Sequence, residues 1–231
     1  MIFEGDTSVI EAMKQKKALM EQGEPHDHIR PMLFIDGGLM KAAYGIGGGL
    51  ALEELGYSKV FTSMVGVSSG AVSIAYLASL NTKVGASLAW EECSSRKFIN
   101  MWRVWNQVNT FYVAAALRGV TGKGVDAAKA LAASADLYIG VADYNTGSPR
   151  LLKPTTEEEL LTAIQASILM PNVSTDKVTF NDIRYVDGGF TKPHVMALAL
   201  EEIDATHILV ITNQDQTMST LPFLERFLNH T

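Results

Sequence analysis

Apolar and polar positions along this chain switch between two periods. A polar-faced helix starts at Asp6-Thr7-Ser8, which supply cap chemistry, and runs to about Met20, where Gly23-Glu24-Pro25 stops it. Met32 to Ile35 is a short apolar run of strand type that leads into Asp36-Gly37-Gly38. Met40 to Leu55 reads as helix despite its glycines and closes at Gly56. Lys59 to Val65 is rich in β-branched and aromatic residues and predicts a buried strand, and Ala71 to Leu80 predicts a helix. Between Gly85 and Ala135 no strand pattern is visible, so the segment is expected to be helical, with Trp90, Phe98, Trp102, Trp105, Phe111 and Tyr112 set along it. Beyond it, Leu137 to Ala142 and Arg150 to Lys153 flank the turn Asn145-Thr146-Gly147-Ser148, and Thr156 to Ser167 is a capped helix. Val178 to Phe180 and Ile183 to Val186 flank Asn181-Asp182, a second hairpin signal that ends on Asp187-Gly188-Gly189. A helix from Pro193 to Glu202, a buried strand from His207 to Thr212 and a short C-terminal helix complete the pattern.

Strands alternating with helices in this way predict an α/β fold, a three-layer α/β/α domain around a central mixed, mostly parallel sheet. The order of strand, glycine loop, helix and strand near its start predicts a right-handed parallel crossover. Residues 1–30 are expected to form an N-terminal helical extension and residues 31–231 one domain, with a helical insert at about 85–135. No internal repeat or low-complexity segment interrupts it.

Composition narrows the choice. A chain of 231 residues can bury a continuous core. A net charge of -6 gives no electrostatic footprint for nucleic acid. The single cysteine, Cys93, excludes an internal disulfide, suits a reducing compartment and reads as a small buried hydrophobe. The residues from Met1 to Asp6 lack the basic and apolar regions of a secretory signal, so the expected location is cytoplasmic, and the sequons at Asn172 and Asn229 carry no weight there. Val60 to Thr82 is uncharged and long enough to span a bilayer, but its Ser, Thr and Gly content argues against a transmembrane segment. No His, Cys, Asp or Glu cluster has ligand spacing, so neither a metal nor a cofactor is expected.

Candidate chemistry centres on Gly66-Val67-Ser68-Ser69-Gly70. A GxSxG pentapeptide between strand and helix is the nucleophile-elbow pattern, in which a serine on a sharp turn needs glycine neighbours for steric reasons. The pentapeptide alone is weak, since its composition makes a chance occurrence a matter of roughly one in ten. Two other glycine sites carry less. Arg118 to Gly124 does not match GxxxxGK[ST], and Gly45 to Gly49 lies inside a helix pattern without a GxGxxG register, so these glycines read as close-packing positions. For a base, the elbow serves both a Ser-Asp dyad and a Ser-His-Asp triad; the histidines late enough for a triad are His194, His207 and His230.

Three glycine-bearing sites in this order, Asp36-Gly37-Gly38, Gly66 to Gly70 and Asp187-Gly188-Gly189, resemble the patatin-like phospholipase family, and the similarity extends from about Leu33 to Ile211. Leu33 to Gly45 is similar to the family's glycine-rich oxyanion loop, Ala51 to Gly56 to the helix end after it, and Ala166 to Pro171 with Arg184 to Gly189 to its late segments. The resemblance implies a serine acyl hydrolase that cleaves fatty acyl esters of phospholipids or related lipids, with a lipid or acyl-ester substrate and a peripheral membrane contact. It implies Ser68 as nucleophile, Asp187 as base, an oxyanion hole from the amides of Gly37, Gly38 and Leu39, and support from Lys41, Gly66, Gly70, Gly188 and Gly189. The chain departs from the family's pattern at Leu39, Lys41 and Ala42, where glycine, arginine and glycine are usual. A catalytically weak or inactive lipid-binding relative therefore stands beside the enzyme, as does an α/β-hydrolase esterase with a triad. The aromatic insert is expected to wall the acyl chain or meet the interface, with Trp102 and Trp105 as its test positions. Head group, cleaved position and oligomeric state are left open by the sequence.

Overall fold

The computed structural model describes residues 5–38, 41–100, 102, 107–171, 177–191 and 194–213. Among these, the first helix α1 (Ser8–Gln22) follows Asp6, whose carboxylate accepts from the Ser8 N–H at 2.8 Å, and ends at Gly23 in the left-handed region. The strands are β1 (Pro31–Ile35), β2 (Ser63–Val67), β3 (Asp136–Asp143), β4 (Pro149–Leu152), β5 (Val178–Phe180), β6 (Ile183–Asp187) and β7 (His207–Ile211). The helices are α2 (Ala42–Glu54), α3 (Ser69–Ala78), α4 (Thr82–Ser87), α5 (Thr110–Leu117), α6 (Ala127–Leu131), α7 (Glu157–Ser167) and α8 (Val195–Glu202). They flank a mixed seven-stranded sheet, the α/β arrangement expected.

Strands β7, β1, β2 and β3 run parallel side by side, and β4, β5 and β6 join through antiparallel pairings. The two faces are filled unequally. Leu33, Ile35, Met64, Ile139 and Val141 pack into a large core with Val9 and Met13 of α1, Ile74 and Leu77 of α3 and Leu160 and Ile164 of α7. The alternate residues Met32, Phe34, Val65 and Val67 meet Val195 and Ala199 of α8. Period-two alternation thus sends each strand's side chains into two cores.

Register decides where the chemistry can be. Strand β4 lies along one edge of β3 from Ile139 to Ala142. On the other edge β2 covers Asp136 to Gly140 and ends with Val67 opposite Gly140, while antiparallel β6 covers Val141 to Asp143 and ends with Asp187 opposite Val141. Two strands running in opposite directions therefore finish nose to nose on one neighbour, at adjacent residues. The chain leaves each of them at the residues the sequence singled out, Ser68 and Asp187.

Several boundaries differ from the pattern. The strand expected at Lys59–Val65 begins at Ser63 and runs to Val67; Val60 and Phe61 are buried in the preceding turn without pairing, because an apolar run reports burial and not a ladder. The segment 85–135 is helical only in part: Asn109 and Asp126 accept from the N–H groups of Tyr112 and Lys129 and restart the chain as α5 and α6, and Ile99 bridges Val108 as in a strand pair. Strand β7 is half-exposed because β1 is its partner on one side only among the described residues. Asn181 and Asp182 take positive φ of 48° and 62°, the double left-handed geometry of a tight hairpin turn, as their residue types predict. The expected C-terminal helix, Asn172, Asn229 and His230 lie outside the described residues.

Candidate active site

Ser68 sits between β2 and α3 at φ 55° and ψ -125°, a region that non-glycine residues occupy at a cost of about 1–3 kcal/mol. The turn is held by what surrounds it. A Cβ at Gly66 would come within 2.5 Å of the Gly70 carbonyl oxygen, and one at Gly70 would overlap the Ile35 carbonyl oxygen of β1. Both motif glycines are therefore sterically required. A Cβ at Gly37 would lie 2.9 Å from that of Ser68, which brings the Asp36 loop directly against this serine.

Ser167 supplies a support that sequence reasoning missed. Its hydroxyl accepts from the Ser68 N–H at 2.7 Å and donates to the Gly140 carbonyl at 2.7 Å. Gly140 is where β2 stops, so a buried side-chain hydroxyl continues the ladder across the gap between β2 and β6 and fixes the elbow. The Asp187 N–H donates to the Leu169 carbonyl at 2.9 Å, two residues after Ser167. The segment Ala166–Pro171 was legible as a family motif; the hydroxyl's role depends on a register that no local pattern encodes.

Asp187 is 3% exposed. Burial raises its carboxyl from 3.8 to about 6, against the pull of a hydrogen bond with the Ser68 side chain and of the Gly189 N–H, which donates to Oδ1 at 2.8 Å. A Cβ at Gly188 would sit 2.8 Å from the Gly140 carbonyl oxygen, and one at Gly189 would press on Asp187 Oδ1 at 3.2 Å. The two glycines thus permit the close approach to β3 and to the carboxylate. Ser68, Asp187, Gly37, Gly38, Gly66, Gly70, Gly188 and Gly189 come together in one place.

The Asp36 loop makes contacts that the sequence did not suggest. Leu39 lies outside the described residues. The Gly37 N–H is already engaged, donating to Asp36 Oδ1 at 2.8 Å. Lys41 occupies the cap position of α2, where its N–H donates to the Gly38 carbonyl at 2.8 Å. Asn213, 2% exposed, ties the loop down: Nδ2 donates to the Asp36 carbonyl at 2.6 Å, Oδ1 accepts from the Gly45 N–H at 2.7 Å, and a Cβ at Gly38 would overlap its side chain. Nothing in the sequence marked Asn213, which follows the last strand and reaches the loop only because β7 pairs with β1.

His194 faces the same loop. Its Nδ1 accepts from the Met196 N–H at 3.2 Å at the start of α8, which leaves the proton on Nε2, 3.4 Å from Asp36 Oδ1. The Asp36 carboxylate raises the His194 pKa above its ordinary value. His194 is therefore partnered with Asp36, while His207 bonds Thr206 at the far end of β7. Among the described residues no group of three or more His, Cys, Asp or Glu could hold a metal ion.

A cavity of about 900 Å³ opens beside the turn between β2 and α3, lined by Ser68, Val72, Leu88, Phe98, Ile99, Val113 and neighbouring residues. Its size falls within the range of small-molecule sites. Among the described residues the insert supplies much of the wall. Trp102 is 94% exposed and is not among the lining residues, and Trp105 lies outside the described ones. A turn of π-helix at Leu88–Glu92 contributes Leu88 and Trp90 instead. Cys93 lines the cavity as well, with its thiol pushed by burial up to about 11, which makes it inert. Lys123 Nζ is held by Glu91 at 2.6 Å and Glu92 at 2.9 Å, so the glycine loop around it is a structural clamp and not a phosphate site.

The structure is similar to VipD from Legionella pneumophila, with a TM-score of 0.58 at 14% identity, covering 86% of this chain and 52% of that one. It is also similar to full-length ExoU, solved in complex with SpcU from the type III secretion system of Pseudomonas aeruginosa, with a TM-score of 0.37 at 21% identity, covering 64% of this chain and 40% of that one. The chain thus spans about half the length, or less, of these solved structures. A search of curated protein sequences finds no match. The family model described as patatin-like phospholipase matches residues 33–200, a stretch that holds the Asp36 loop, Ser68, Ser167 and Asp187, and the chain belongs to the patatin-like phospholipase family.

Proposed function

We propose that this protein is a serine acyl hydrolase that cleaves fatty acyl esters of phospholipids or related lipids through a Ser68–Asp187 dyad. The reading is carried by one observation: a buried carboxylate of raised proton affinity meets a strained serine at the mouth of an apolar cavity. A carboxylate near its usual pKa is too weak a base for a serine hydroxyl, and the shift toward neutrality supports the assignment. As Ser68 Oγ attacks the ester carbonyl, Asp187 takes its proton and then delivers it to the departing alcohol. The acyl chain, lodged in the cavity, remains esterified to Ser68 until a water, deprotonated by the same carboxylate, releases the fatty acid. The developing oxyanion would be met by the amides of Gly37, Gly38 and Leu39, each such donor being worth about 3 kcal/mol. Because Asp36 Oδ1 now holds the Gly37 N–H, the substrate carbonyl has to displace that carboxylate, and Lys41 stands at the loop's exit with a compensating charge.

The same engaged amide supports a second reading, a lipid-binding relative with little turnover. Incubation of wild type, Ser68→Ala and Asp187→Asn with a lipid panel, read by mass spectrometry and paired with fluorophosphonate labelling, separates the two. Fatty acid release and labelling by wild type, both lost in Ser68→Ala, are the expected outcome. A folded wild type that neither labels nor releases fatty acid would leave the second reading.

A further inference from the structure

The carboxylate of Asp36 sits on an amide that the proposed hydrolysis would use. Its Oδ1 accepts from the Gly37 N–H at 2.8 Å, and a Cβ at Gly37 would lie 2.9 Å from that of Ser68, so this amide borders the proposed nucleophile. Negative charge that develops on a substrate carbonyl has to be met by fixed N–H donors. Two anions on one donor repel each other strongly at such short range. Either the carboxylate leaves, or this amide contributes nothing to an oxyanion hole.

The loop backbone is tied down around it. Asp36 donates its own N–H to the Ile211 carbonyl of β7 at 3.0 Å, and its carbonyl accepts from Asn213 Nδ2 at 2.6 Å. Asn213 is held in turn by the Gly45 N–H at 2.7 Å, and a Cβ at Gly38 would overlap its side chain. Rotation of the Asp36 side chain is the motion left. A second seat lies within its reach: His194 Nε2 is 3.4 Å from the same Oδ1. The imidazole is itself fixed, since Nδ1 accepts from the Met196 N–H at 3.2 Å and the chain continues into α8, whose Val195 and Ala199 are buried against the sheet. On β1 the Phe34 ring stands 6.1 Å from it, tilted by 55°. Proximity to the carboxylate raises the His194 pKa, so this seat can carry a full positive charge.

We infer that Asp36 is a two-position latch: on the Gly37 N–H its carboxylate blocks an oxyanion donor, and drawn onto His194 Nε2 it frees that donor for the substrate carbonyl. His194 is then a positioning residue that acts through Asp36 and does not touch the ester. The inference rests on the acyl-hydrolase reading and names how that same site is held back. It gives His194 a task other than the base of a triad, for both ring nitrogens are already engaged. No covalent bond changes in the movement; a charge-assisted hydrogen bond to the amide is exchanged for one to the imidazole.

Wild type, Asp36→Ala, His194→Ala and the double variant test the latch as full-length proteins, with folding checked by circular dichroism. Each is followed by its rate of fluorophosphonate labelling and by kcat and KM on a soluble short-chain ester at pH 7. There Asp187, which titrates at about 6 with the Asp36 charge as one of the causes that raise it, is mostly ionised in every variant. Asp36→Ala is expected to raise labelling and kcat by roughly tenfold with KM little changed, because a freed donor acts in the transition state. His194→Ala, which removes the second seat, is expected to lower both by roughly tenfold. The double variant should match Asp36→Ala, since a residue that acts only through Asp36 has no effect once the carboxylate is gone. Asp36→Asn keeps the shape and loses the charge; it should fall between wild type and Asp36→Ala, and it replaces the alanine variant if that one does not fold. A loss in His194→Ala that persists in the double variant overturns the latch and points to a direct role for the histidine. Slower labelling by Asp36→Ala, or one common rate in all folded variants, overturns the latch alone. Absence of both labelling and hydrolysis from every folded variant removes the acyl-hydrolase reading together with it.

Discussion

At Asp187 the demands of the proposed catalysis and of folding oppose one another. Its carboxyl is raised from 3.8 to about 6 by burial, so ionising it inside the fold costs free energy. The sign follows from linkage: this group's contribution to stability is full below pH 3.8 and is lost as pH rises through about 6. The shift corresponds to about 3 kcal/mol. Asp187→Asn is therefore expected to melt higher than wild type at pH 8, with the gain shrinking toward pH 4, as thermal denaturation across pH would show. With Asp187 as the proposed base, the activity of wild type is expected to run the other way, with kcat/KM falling about tenfold per pH unit below about pH 6 as the carboxylate protonates. Asn213 makes a second residue-scale case. Asn213→Ala leaves the buried Gly45 N–H and the Asp36 carbonyl without their side-chain partner, a loss of about 1–3 kcal/mol each for groups that stay dry. Slower fluorophosphonate labelling of Ser68, with the serine itself untouched, is the expected result.

Helix α2 shows how one element can serve packing on one side and a ligand on the other. A Cβ at Gly48 would press on Ile211 at 2.8 Å, one at Gly45 on Ile35 at 3.0 Å and one at Gly49 would touch Thr82 at 3.4 Å. These glycines let the helix lie close to β7, β1 and α4, as their reading as packing positions anticipated. Gly47 is different: it lines the cavity, and a Cβ there would meet nothing within 4 Å. Gly47→Phe should leave the fold intact and narrow the space beside Ser68. Measured on an ester series, it is expected to lower turnover of long acyl chains selectively; equal loss across all lengths would mean that the cavity does not hold the chain.

Over the molecule as a whole, the sheet and the insert are held by different forces. The sheet buries strand side chains in cores on both faces, whereas the insert is short helices and irregular chain joined by polar ties centred on Lys123, whose side chain is 16% exposed. Removing one partner of a partly buried ionic cluster leaves the others without their shared charge. Lys123→Met is expected to open the 85–125 region to limited proteolysis while the sheet keeps its protection. Among the described residues no helix is long and apolar enough to cross a membrane.

What the sequence by itself determined was local. The hairpin at Asn181-Asp182, the cap of the helix after Thr156 and the elbow at Ser68 with its two glycines depend on neighbouring residues and steric rules, and each is found where the pattern places it, whereas strand and helix periods gave the elements with shifted ends. Motif order was enough to pair Ser68 with Asp187 and the Asp36 loop. Tertiary structure alone decided the rest. The meeting of β2 and β6 end to end on β3, the Ser167 hydroxyl bridging that gap, the Asn213 tie and the Asp36 hold on the Gly37 amide all join residues through strand register. So does the identity of the cavity wall, where Leu88 and Trp90 stand in the place assigned to Trp102. The physical reason is common to all of them. A backbone pattern reports which face of an element is buried, whereas a site depends on which buried faces meet, and that is set by sheet register and helix packing over the whole chain.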